Sequence, residues 1–238
     1  MSLPDNVRYF VADVETTGVG PDDKVVEVGW IEIDEDFNVI GEVESLIDPE
    51  RFVSPESSGV HGLVNADLEN SPTIEEFFSL NDPSCYGQKI DSPMVLIGHR
   101  IAFDERFLKP YFTNIVQQLC TLRWFRRLYP SSGNHQLSTA IYALGLPRSS
   151  GSHRVMGDVM TAYHLTKHIS ERTGMNLRQL AGSSAEPMEI SVMPMGKHKD
   201  QNLCDVPKSY LSWMLNNMDL DFDMKHSVKL QLNNKKNK

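Results

Sequence analysis

At 238 residues, 40% of them hydrophobic and 23% charged, the chain can bury one sizeable core and still leave room for a small second module. No apolar run reaches about 18 residues, and the opening MSLPDNVR lacks the apolar stretch of a secretory signal, so neither a membrane span nor export is expected. Cys85, Cys120 and Cys204 form no CxxC pair, which argues against a zinc knuckle or a disulfide framework and fits a reducing, cytoplasmic setting.

The net charge of −9 is unevenly spread. Residues 189–238 carry eight lysines and no arginine against six acids, a local +2 that leaves −11 for the rest. An acidic body of this kind can still receive a phosphodiester through captured divalent cations.

Tyr9, Phe10, Val11 and Ala12 predict a short buried strand. At its end stand Asp13 and Glu15, two residues apart, so the alternation of a strand sends both carboxylates to one face. KVVEVGWIEID (residues 24–34) alternates as a second strand, and residues 37–47 read as a third, hairpin-linked near Asn38. Residues 48–62, rich in Pro, Ser and Gly, predict a loop, and residues 72–80 a short helix capped near Ser71 or Thr73.

MVLIG (residues 94–98) is long enough only for a buried strand, and residues 101–112 have the apolar spacing of a helix packed on a sheet. A further strand is expected at 115–119. The helix predicted at 122–129 carries Arg123, Arg126 and Arg127, which read as a solvated face in preference to a DNA contact. Helices at 136–144 and 158–171 complete an α/β body with a central mixed sheet. Residues 181–188 read as a linker, KSYLSWMLNNM (208–218) as a helix, and QLNNKKNK (231–238) as a frayed tail.

Three positions join Asp13 and Glu15. Asp104 and Asp158 each fall at a predicted helix start, where an anion is favoured, and His153 stands five residues before Asp158. Four carboxylates at element ends suit hard, oxygen-preferring cations, Mg²⁺ or Mn²⁺. A nearby histidine without metal-ligand partners suits a general base.

DVETTG, GHRIAFDERFL and HRVMGD, in this order, resemble the three motifs of the DEDDh family of 3′→5′ exonucleases, over about residues 7–170. SPESSGVHG and HQLSTAIYALGL resemble the landmarks between them. The resemblance implies an RNase H-like fold with a five-stranded sheet in an exonuclease domain over residues 1–180. It also implies two divalent cations on Asp13, Glu15, Asp104 and Asp158, and His153 as the base. Glu56 and His61 would contact the 3′-terminal nucleotide, Phe103 would pack beside its base, and Thr16 and His99 would join the substrate contacts. Arg100 stands where the family often has Asn, and could reach a phosphate instead.

The implied reaction is two-metal hydrolysis of DNA from its 3′ end, releasing nucleoside 5′-monophosphates, with a DNA polymerase or another replication or repair protein as an implied partner. Residues 189–238, with PMGKHKDQNLCDVPKSYLSWMLNN, resemble the C-terminal module of the bacterial exodeoxyribonuclease X family, except that Asp200 replaces a Gly. Lys197 and Lys199 in that turn are candidate DNA backbone contacts. Rival readings are an exoribonuclease that trims RNA 3′ ends and a non-catalytic nucleic-acid adaptor.

Overall fold

The structure, a computed structural model, describes residues 3–79, 92–147 and 154–234; His153 lies outside the described residues. Five strands form one sheet in the order β3-β2-β1-β4-β5. They are β1 (Arg8–Thr16), β2 (Val25–Ile33), β3 (Val39–Leu46), β4 (Met94–Gly98) and β5 (Ile115–Cys120). The β1–β2 and β2–β3 pairs are antiparallel and the β1–β4 and β4–β5 pairs parallel, so the mixed five-stranded sheet is as expected.

The alternation of β1 splits the core between two layers. Tyr9 and Val11 join a buried cluster with Trp124, Phe125, Val159, Leu165 and Leu180. These come from α5 (Thr121–Leu128), α7 (Val155–Thr173) and α8 (Leu177–Ser183). Phe10, Ala12 and Val14 face the other way, onto Phe77, Phe78, Leu108 and Phe112. That layer is built by α3 (Ile74–Ser79) and α4 (Ala102–Leu108).

Several sequence expectations are corrected. The predicted loop at 48–62 contains α1 (Pro55–His61), whose N-cap Ser54 accepts the Ser57 N–H and whose chain exits through Gly62 at φ 78°. A short α2 (Asn65–Leu68) follows, whereas α6 (Leu137–Leu144) lies where a helix was expected. At the C-terminus the chain is helical in α9 (Lys208–Asn217) and α10 (Phe222–Asn234), so residues 231–234 end a helix where a frayed tail was expected. Residues 235–238 lie outside the described residues.

Met193, Leu203, Leu211, Met214, Met224 and Val228 form a separate buried cluster in this C-terminal segment. The segment 181–188 is not a free connection, because α8 runs into it and Trp124 Nε1 donates to Ser184 Oγ at 3.1 Å. Nor do the α5 arginines form a solvated face. Arg123 pairs with Asp223 through two hydrogen bonds of 2.6 and 2.7 Å, and also donates to the carbonyls of Ser184 and Glu186. Arg126 reaches Asp221 at 2.7 Å. Two of the three thus fasten the C-terminal segment to the body. Asp200 has φ 69°, so the turn keeps the left-handed geometry that a Gly would adopt freely.

Candidate active site

β1 and β4 run parallel, with Val11 beside Ile97, so both strands deliver their C-terminal residues to the same sheet edge. Asp13 and Glu15 project there from β1. Asp158 arrives from the first turn of α7, where the free N–H groups favour a carboxylate. α7 can approach because Gly29, opposite Asp13, has no side chain: a Cβ there would lie 2.8 Å from Val155.

One carboxylate oxygen each from Asp13, Glu15 and Asp158 lie within 4.8 Å of one another. Burial pushes the Asp13 carboxyl well above the usual range, and the charges of Asp104, Asp158, Glu15 and Glu27 push it further. Glu15 rises to about 7, first through burial and then through Asp158 and Glu27, with Arg154 opposing. Asp104, only 3% exposed, accepts the Val14 N–H at 3.1 Å; burial drives it to about 8 against that hydrogen bond. Asp104 is therefore near enough to perturb Asp13, although it is not one of the three oxygens within 4.8 Å.

Such a cluster is unfavourable without a cation, since desolvation and mutual repulsion both penalise its charged form. All its donors are oxygens, which fits Mg²⁺ or Mn²⁺ and not a soft metal. The donor set thus fits the divalent cations implied by the sequence.

A second carboxylate system was not anticipated. Glu27, fully buried on β2, accepts Arg154 Nε at 2.8 Å and Nη2 at 2.5 Å through one oxygen, and the Val155 N–H at 3.1 Å through the other. It secures the start of α7. The signal present in the sequence was a lone acid inside VVEVGW.

The remaining candidates divide. His61 is buried at the end of α1; its Nδ1 accepts the Leu63 N–H, and its Nε2 has no hydrogen-bond partner among the described residues. Burial lowers its pKa, so the imidazole is neutral. Glu56 is exposed on the first turn of the same helix, and Thr16 donates its hydroxyl to the Gly18 carbonyl.

His99 is committed internally. Its Nε2 donates to the His135 carbonyl at 2.8 Å, its Nδ1 lies 3.0 Å from the Thr121 hydroxyl, and burial lowers its pKa to about 4. Its ring nitrogens brace the loop before α6 and are not left over for substrate. Arg100 is exposed at φ 67°, where an Asn would be less strained. Phe103 packs edge-on to Phe107, with centroids 5.4 Å apart. Lys197 and Lys199 are exposed on the turn before Asp200, and Lys199 Nζ donates to the Gly133 carbonyl at 3.1 Å.

Comparison with known proteins agrees with this geometry. Exodeoxyribonuclease 10 of Escherichia coli K12 is 25% identical over 217 residues, covering 88% of this chain and 91% of its own. The PolC-type DNA polymerase III of Thermotoga petrophila is 33% identical over 113 residues, 47% of this chain but 8% of that polymerase. A solved structure of exonuclease X in complex with 5′ overhanging duplex DNA superposes with a TM-score of 0.56 at 23% identity, covering 75% of this chain and 99% of that one. Residues 187–220 match a family profile named for a quorum-sensing-regulated virulence factor. The RNase T exonuclease profile matches residues 10–166, which include Asp13, Glu15, Asp104 and Asp158, and the chain belongs to that exonuclease family.

Proposed function

We propose that the chain is a metal-dependent 3′→5′ exodeoxyribonuclease that releases nucleoside 5′-monophosphates. The observation that carries this reading is the convergence of Asp13, Glu15 and Asp158 oxygens within 4.8 Å, beside buried Asp104. These four would hold two divalent cations, which when bound supply Lewis-acid activation of water and neutralise charge on the leaving oxygen.

The chain's own residues do the rest. His153, directly before Arg154, would accept the proton of the attacking water. Glu27 and Arg154 hold the start of α7 and so keep Asp158 aimed at the sheet edge. His61, neutral and buried at the end of α1, would meet the terminal nucleotide together with Glu56, Thr16 and Phe103. DNA is the favoured substrate because a relative covering 88% of this chain is an exodeoxyribonuclease. A DNA polymerase or another replication or repair protein would be a partner, a reading supported by the PolC-type relative.

In this reading residues 1–180 are the exonuclease domain and 189–238 an accessory module joined through 181–188. Matched DNA and RNA oligomers labelled at either end test the function. Immediate loss of a 3′ label, with stepwise shortening of 5′-labelled DNA and slower attack on RNA, is expected. Removal of the 5′ label first would overturn the polarity, and preferential attack on RNA the substrate.

A further inference from the structure

A cavity of about 370 Å³ opens between the body and the C-terminal segment. In a chain of net charge −9 its described lining holds three fixed cations, Arg100, Arg126 and Lys199, against one carboxylate, Asp200. With Arg126 paired to Asp221 the lining still carries a net positive charge, and a cleft of that sign draws anions toward it.

Each cation is presented differently. Arg126 is anchored at one end by Asp221, yet its buried Nε has no hydrogen-bond partner among the described residues. An unpaired buried donor is costly, and the same guanidinium lines the cavity. Lys199 spends one donor on the Gly133 carbonyl, which draws its turn onto the cavity wall, and an ammonium has three. Arg100 forms no ion pair among the described residues and keeps a left-handed backbone. Such strain persists where the surrounding fold holds it, and it gathers at functional positions.

Arg100 links the cavity to the sheet edge that carries the candidate active site. Arg100 follows β4 at the edge where Asp13 leaves β1, and Asp104 is four residues further on. Arg100 and Arg126 line a second cavity as well, together with Phe103.

We propose that this junction cavity binds a backbone phosphate of the strand under degradation, 5′ of the scissile bond, between Arg100 and Arg126 of the body and Lys199 of the C-terminal segment. The proposal rests on the exonuclease reading. Guanidinium groups match the paired oxygens of a phosphodiester, and the ammonium adds a point charge. At the size of a small-molecule pocket, the cavity takes one strand's backbone and not a duplex. The C-terminal segment would thereby act as half of a clamp on the substrate.

The test is fluorescence anisotropy of the full chain with a labelled single-stranded DNA ten-mer, with Ca²⁺ in place of Mg²⁺, across a salt series. Lys199→Gln and Arg100→Asn, the latter suited to the left-handed backbone, should each raise Kd by about three- to fivefold, the worth of one exposed charge pair. Each should also flatten the slope of log affinity against log salt, by no more than the roughly 0.7 that the one shared phosphate contributes. Unchanged Kd and slope in both variants would overturn the clamp. Hydrolysis of a nitrophenyl ester of thymidine monophosphate, measured separately in Mg²⁺ or Mn²⁺, reports on the exonuclease reading: a wild type inactive on it and on oligomers refutes that reading, while the anisotropy still decides the cavity.

Discussion

Arg154 Nη2 lies 2.5 Å from Glu27 Oε1, joining a fully buried acid of the central sheet to the residue that opens α7. The pair is 127 positions apart in sequence, yet it orients the helix that bears Asp158. Glu27 also acts at a distance, because its charge raises the carboxyls of Asp13 and Glu15.

Glu27→Gln should therefore lower kcat by about 10- to 100-fold, as loss of a residue supporting metal ligands usually does. Removing a negative charge also lowers the pKa of Glu15 and Asp13, so Mn²⁺ binding at pH 7 should release fewer protons than in the wild type. A lower rate with unchanged proton release would leave Glu27 a packing residue only.

The carboxylate cluster makes metal-free stability fall with pH. Glu15 and Asp104, at about 7 and 8, are raised above their ordinary values of 4.5 and 3.8, so the folded state binds more protons than the unfolded one. Their contribution is complete below the ordinary values and is lost as pH rises through 7 and 8. Between pH 7 and 8.5, above the range of the buried histidines, Tm in EDTA should decline, and Asp104→Asn should decline less. Mg²⁺ should restore more at pH 8.5 than at pH 7, since it binds the ionised form. A flat or rising Tm in EDTA would contradict the shifts.

His153→Ala should reduce kcat by about 10²–10⁴, the usual worth of a general base, while metal binding persists. The wild-type rate should rise with pH as the imidazole becomes neutral, about an ordinary pKa of 6.5. An unaltered pH profile in the variant would assign the base elsewhere.

Arg123→Ala should release the C-terminal segment. It removes a nearly buried, two-bond ion pair with Asp223 and two bonds to the 184 and 186 carbonyls, a loss of about 3 kcal/mol. Limited proteolysis should then cut near residue 188 well before the body, and equal resistance in wild type and variant would refute this anchoring.

What could be read from the sequence was whatever is local. MVLIG has no other use than a buried strand, and Asp13, Asp104 and Asp158 each stand at the end of an element whose period is plain. α1 reads as a loop because its seven residues are Ser-, Gly- and Pro-rich, although Ser54-Pro55 and Gly62 are start and stop signals. The ion pairs of the α5 arginines are not legible in the sequence, because Asp221 and Asp223 lie about a hundred residues away and nothing local announces a pair of that span. Glu27 was hidden for the same reason. His99 reads as a substrate contact in the motif, but its ring nitrogens are taken by Thr121 and His135.

The central claim is that Asp13, Glu15 and Asp158, with Asp104 beside them, form a divalent-cation site. Calorimetric titration of Mn²⁺ into the full chain at pH 7, in buffers of differing ionisation enthalpy, tests it most directly. The account predicts saturable binding with net proton release, because carboxyls of raised pKa must ionise to accept the metal, and loss of most of that signal in Asp13→Asn. Absence of binding in the wild type, or an unchanged isotherm in Asp13→Asn, would contradict it.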